Sequence, residues 1–105
     1  MEITYLGHSA FKIEADGKTI FLDPWLSGPA SPITVDSVDD ADICVVTHDH
    51  GDHGYSEAVE ICKKTGAYFV AINELALKAK SAGVENVHTL NIGGSIDING
   101  VVVTL

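Results

Sequence analysis

Positive charge is scarce in this sequence: 6 basic residues stand against 15 acidic ones, for a formal net charge of −9. A surface so charged repels phosphate backbones, which argues against nucleic acid as a partner of this chain alone. Long hydrophobic runs are also missing. Stretches such as 41–46 and 100–103 fall far short of the roughly 20 apolar residues that cross a bilayer, so no membrane partner is expected. The N-terminus has no basic stretch leading into an apolar one and reads as the start of a strand, not as a signal peptide. Only two cysteines are present. Cys44 lies in an apolar run and Cys62 in an amphipathic one, without metal-ligand spacing, so they read as buried free thiols in a reducing compartment. Together with the acidic balance, this gives a cytoplasmic expectation. Repeats and low-complexity segments are absent.

What is present suits one compact domain. The chain has 105 residues, 46% of them hydrophobic, which excludes a disordered chain. Residues 2–6 and 9–14 alternate polar and apolar, as half-buried strands do. Asp16-Gly17 signals a hairpin into a third strand at 18–22. Residues 24–40 hold all three prolines and read as a long loop, a frequent carrier of function. Residues 42–47 form a strand covered on both faces. Ser56 is the expected N-cap of a helix over 57–65 that presents Ala58, Val59 and Cys62 on one face and stops at Gly66. A strand at 67–72 follows, then a helix over 74–82 capped by Asn73 and ended by Gly83. Short strands are expected at 87–92 and 95–98, and Asn99-Gly100 turns the chain into a last strand, 101–105. The order predicts an α/β (α+β) mixed sheet with helices on one face. The last strand stops barely past its hairpin, which leaves an apolar sheet edge or face for a further segment, a partner chain or a second copy to cover.

Three of the five histidines, His48, His50 and His53, fall within six residues, with Asp49 and Asp52 among them. A solvated polar loop has no need of imidazoles, and turn histidines cannot all be core residues. Imidazole and carboxylate together bind borderline divalent ions such as zinc; manganese, iron or nickel would also accept them. In an extended loop His48 and His50 point to one side and would grip one ion. Asp52 and His53, beyond the bend at Gly51, would aim at a neighbouring position. That suggests two ions, about 3.5–4 Å apart in two-metal hydrolases. Three histidines and one carboxylate cannot fill two coordination spheres. His8, Asp23, Asp49 and His88 remain as candidates without a motif, and the shortage points to ligands outside this chain.

Thr47-His48-Asp49-His50-Gly51-Asp52-His53 resembles the T-H-x-H-x-D-H signature of the metallo-β-lactamase superfamily. Ile3 through Phe11, then Asp23-Pro24-Trp25 and Gly93-Gly94, are similar to the small metal-dependent hydrolases related to L-ascorbate-6-phosphate lactonase. The resemblance covers nearly the whole chain. It implies a four-layer αββα sandwich built from two similar halves, of which residues 1–105 resemble the N-terminal one, an incomplete domain. It implies that His48 and His50 bind a first metal and Asp52 and His53 a second, with Asp52 also orienting the attacking hydroxide. Asp23 would support the metal loop from behind. A further histidine, a bridging aspartate and a last histidine of the family pattern belong to the second half.

The expected function is therefore that of a metal-dependent hydrolase. Hydroxide activated by the metals would attack an ester, lactone or phosphoester, a small-molecule substrate, in the complete protein; the 105 residues alone are expected to be inactive. His8, in a Gly-His-Ser turn, is a candidate substrate contact or a plain turn residue. The competing expectation is a non-catalytic metal-binding half-domain that assembles through its open sheet edge. A polymerase-and-histidinol-phosphatase-type phosphoesterase ranks below both, because its His-x-His pair follows the first strand and here three strands come first. His88 receives no role.

Overall fold

Alternation at the start of the chain builds an antiparallel meander. Its strands are β1 (Glu2–Tyr5), β2 (Phe11–Ala15) and β3 (Lys18–Leu22) in the computed structural model, which describes all 105 residues. The β2–β3 turn places Asp16 at φ 51° and Gly17 at φ 74°, the two left-handed residues that a type I′ hairpin demands. From β3 onward the pairing is parallel: β4 (Ile43–Val45), β5 (Tyr68–Ile72) and β6 (Val87–Leu90) follow, and the six strands lie in sequence order. Helix α1 (Tyr55–Thr65) joins β4 to β5 and α2 (Asn73–Ser81) joins β5 to β6. Crossovers between parallel strands keep one hand, so consecutive units place their helices on the same face. The mixed sheet with helices on one face is thus borne out.

The fully apolar run of β4 is explained by what covers it. Cys44 and Val46 join Phe21, Phe69 and Ala71 beneath Ala58, Ile61 and Cys62 of α1 and Leu75, Ala76 and Ala79 of α2. Ile43 and Val45 face the other way. With Ile20 and Val70 they meet Ile98, Ile96, Val101 and Val103 of a separate two-stranded sheet, β7 (Ser95–Ile98) and β8 (Val101–Thr104). Asn99 at φ 51° and Gly100 at φ 93° make its type I′ turn. The last hairpin therefore lies across the sheet and covers part of its second face. At the β1 edge, Ile3 and Tyr5 remain 58% and 59% exposed.

Several local expectations are corrected. Ser56 is not an N-cap; it lies inside α1, whose cap is Gly54 at φ 77°. A 3₁₀ turn over Gly51–His53 runs directly into the helix, whose first bond runs from Ala58 N–H to the Gly54 carbonyl, and no side-chain cap is made. Asn73 is the first residue of α2 and caps nothing; Ile72 holds that position, with no side-chain bond. The 24–40 loop contains one 3₁₀ turn, Val35–Ser37, and is anchored by Leu26 and Val38 in the helix-side core. No helix is long and apolar enough to cross a membrane.

Candidate metal centre

Strands β1 and β3 both run antiparallel to β2, and β4 runs parallel to β3. The C-terminal ends of β1, β3 and β4 therefore meet at one margin of the sheet, the usual place for sites in open sheets. Three turns start there. One carries His8 after β1, one carries Asp23 directly after β3, and the 47–53 loop follows β4.

Asp23 is the pivot. It is 3% exposed and held at φ 44°, a conformation that a non-glycine residue adopts at some cost. Its Oδ1 accepts the Thr47 backbone N–H at 2.7 Å, and its Oδ2 accepts the Thr47 hydroxyl at 2.7 Å. The same Oδ2 lies 2.8 Å from His53 Nδ1. An ionised carboxylate only accepts, so His53 carries its proton on Nδ1 and keeps a lone pair on Nε2. The Thr47 O–H is already donated to Asp23, so its oxygen accepts from His48 Nδ1, 2.9 Å away. His48 is thereby assigned the same tautomer by donor counting. One buried carboxylate thus fixes two imidazoles with both Nε2 atoms free to bind, the arrangement that orients metal-ligating histidines.

The imidazoles are contiguous. Ring centres of His48 and His53 are 4.0 Å apart, of His48 and His50 4.7 Å, and of His8 and His53 5.5 Å. Asp52 Oδ2 lies 2.9 Å from His8 Nε2, and Asp52 Oδ1 lies 4.0 Å from His53 Nε2. Ligand atoms of His8, Asp52 and His53 all fall within 4.8 Å of one another, a group that could hold a metal ion. Two imidazoles and a carboxylate suit a borderline divalent ion and leave positions open for water or substrate. His8 is drawn into the cluster by the turn at Gly7 and His8, with φ 95° and 52°.

Sequence reasoning passed over Thr47 as a bridge. Only its place between the β4 strand and His48 hints at that role. Asp49 is engaged elsewhere: its Oδ2 pairs with Lys78 Nζ at 3.0 Å, and that ammonium sits 4.4 Å over the Tyr55 ring. Burial pushes the Tyr55 phenol above its ordinary value, with Lys78 opposing and Asp49 reinforcing the shift. His88 lies in β6, two strands from β4, stacked on Tyr68 at 4.9 Å.

Comparison with known proteins bears on this geometry. The profile of the Beta-lactamase superfamily domain matches residues 2–104. A UPF0173 metal-dependent hydrolase of Methanopyrus kandleri is 51% identical over 99% of this chain and 45% of its own length. A UPF0173 metal-dependent hydrolase of Korarchaeum cryptofilum is 42% identical over 100% of this chain and 47% of its own. The chain therefore spans about half the length of the curated relatives it matches. Among solved structures, Igni18, a metallo hydrolase of the hyperthermophilic archaeon Ignicoccus hospitalis, superposes with a TM-score of 0.80 at 38% identity, over 92% of this chain and 42% of that one. The metallo-β-lactamase fold, a mixed sheet with helices on one face, is thus shared over under half of each relative, and these relatives are named metal-dependent or metallo hydrolases. On the profile match across nearly its whole length, the chain belongs to the beta-lactamase superfamily.

Proposed function

We propose that this chain supplies the His-x-His-x-Asp-His portion of a two-metal hydrolase, acting on an ester, lactone or phosphoester. The observation that carries the reading is the Asp23 relay, which engages Nδ1 of both His48 and His53, whose rings lie 4.0 Å apart, and leaves their Nε2 atoms to bind. His48 and His50 would hold a first ion, and Asp52 and His53 a second, with zinc the ion that best suits this donor set. His8 reaches Asp52 and is either a further ligand or a contact to substrate. When bound, divalent ions supply a Lewis acid and lower the pKa of water. Asp52, with one oxygen 2.9 Å from His8 Nε2 and the other 4.0 Å from His53 Nε2, would accept a proton from an attacking water and orient it. Asp23 holds the rings still through that transfer.

Residues 1–105 form one incomplete domain in this reading. The relatives' additional length would provide the remaining ligands and cover the exposed Ile3 and Tyr5 edge; the isolated chain is then inactive. Two buried free thiols and the acidic surface support a cytoplasmic location. In the test, chelator-sensitive hydrolysis of a lactone and phosphoester panel is compared between the full-length protein and its His50→Ala variant. Loss of turnover in a folded variant supports the reading, and full activity ends it.

A second reading rests on the same edge strand. Exposed apolar residues on β1 suit a non-catalytic half-domain that pairs with a second copy, the metal closing its coordination sphere without water. A homodimer holding one ion at its interface would favour it.

A further inference from the structure

A hollow of about 160 Å³ opens beside His8, between the β1 turn and the loop after Asp23. Leu6, His8, Trp25, Pro29, Ala30 and Ser31 form its walls. His8 belongs to both spaces: its ring meets Trp25 edge-on at 5.4 Å, and its Nε2 lies 2.9 Å from Asp52. The hollow therefore adjoins the place where a reacting bond would sit.

Several polar groups of its walls are already bonded within the protein. The Gly28 carbonyl accepts Ser31 N–H at 3.2 Å, and the Gly7 carbonyl accepts Ala10 N–H at 2.9 Å. The Ser31 hydroxyl donates to the Ile33 carbonyl at 2.7 Å, and the His8 carbonyl accepts the Tyr5 hydroxyl at 2.9 Å. An occupant gains chiefly from apolar contact with Leu6, Trp25, Pro29 and Ala30. The walls are also closely set. A Cβ at Gly28 would lie 2.7 Å from the Trp25 ring, and one at Gly7 would lie 2.9 Å from Ala30 Cβ. From α1, buried Glu57 ties the loop down by accepting Ser27 N–H at 3.3 Å.

We propose that this hollow is the specificity pocket of the enzyme. It takes a compact, uncharged apolar group next to the bond that is cleaved, a branched alkyl chain or a single ring, since a cavity of order 150 Å³ accommodates benzene. Trp25, Ala30 and the two glycines set its size. The proposal rests on the hydrolase reading of the adjoining cluster, and its test separates the two.

Trp25 is the chain's single tryptophan, so its emission reports the hollow directly. The zinc-loaded chain is titrated with benzyl alcohol and, as a control, glycerol, while zinc uptake is measured separately. A saturable emission change with benzyl alcohol only, weakened about tenfold or more in Ala30→Leu while zinc uptake is unchanged, is the expected result. Ser31→Leu fills the same space if Ala30→Leu misfolds. A non-saturating change, or an equal response in the filled variants, overturns the pocket. If the response saturates and the variants abolish it while zinc is not retained, the pocket stands and the metal reading fails. In the full-length protein, p-nitrophenyl butanoate is expected to be preferred over the acetate, and Ala30→Leu to reverse that order. An unchanged order overturns the specificity role.

Discussion

The smallest unit that decides this site is the carboxylate of Asp23. It accepts from Thr47 twice and from His53 once, and through Thr47 it sets His48. Replacing it with asparagine keeps the shape but presents an amide donor where three donors already point. Asp23→Asn is expected to lower zinc affinity roughly 10–100-fold, as loss of such supporting partners does. Chelator-competition titration reads this, and an unaltered affinity would remove Asp23 from the relay. Sequence spacing made His48, His50, Asp52 and His53 legible, because a cluster of imidazoles has few other uses. The bridging role of Thr47 and the convergence of His8 on Asp52 were not, since they depend on which strand ends share a sheet margin. Asp49, left in the sequence as a candidate without a motif, is engaged by Lys78 of α2.

At the scale of elements, the junction between the metal loop and α1 is the tightest fit. A Cβ on Gly54 would lie 2.4 Å from the Pro24 carbonyl carbon, and the residue has φ 77°. Gly54→Ala is expected to destabilise the chain by about 2 kcal/mol or more, from backbone strain and overpacking together. Gly66, at φ 80° with open space around it, provides the control: Gly66→Ala should cost about 1 kcal/mol. Urea unfolding of both variants checks the pair, and equal losses would mean that the Pro24 contact is not limiting. Beneath this junction, a hydrogen bond to Cys62 and then complete burial hold the Cys44 thiol well above its ordinary value. The folded state therefore keeps a proton that the unfolded chain releases. This stabilisation is present below the unfolded value of about 8.5 and is lost as pH rises above it. Stability should fall through that range, with a shallower slope in Cys44→Ala; identical slopes would contradict the shift. Periodicity located both helices, but not their starts. Ser56 and Asn73 look like caps in sequence, whereas α1 continues a 3₁₀ turn and α2 leaves β5 without a cap.

For the whole molecule, the sheet has unequal faces. Helices cover one, and the β7–β8 hairpin covers the middle of the other. The β1 end is left with Ile3 and Tyr5 exposed. Alternation in 2–6 made these residues recognisable as a strand. It could not tell that the final hairpin would cross the sheet and shelter Ile43 and Val45 instead, because that depends on long-range packing. If the open edge is where the rest of the domain or a second copy docks, the chain should self-associate with rising concentration, and Ile3→Lys with Tyr5→Lys should suppress this in sedimentation velocity. Monomeric behaviour of the parent chain at all concentrations would argue against a sticky edge.

The 47–53 loop, with Asp23 behind it, is the proposed divalent-metal centre. Cobalt substitution tests it most directly, since the visible absorption of Co2+ reports its ligands without requiring turnover. The chain should develop a saturable absorption band with Co2+ that zinc displaces, and the band should be lost in His53→Ala and strongly weakened in His48→Ala while circular dichroism is unchanged. Equal spectra for Co2+ in buffer, in the parent chain and in both variants would mean that these histidines hold no metal.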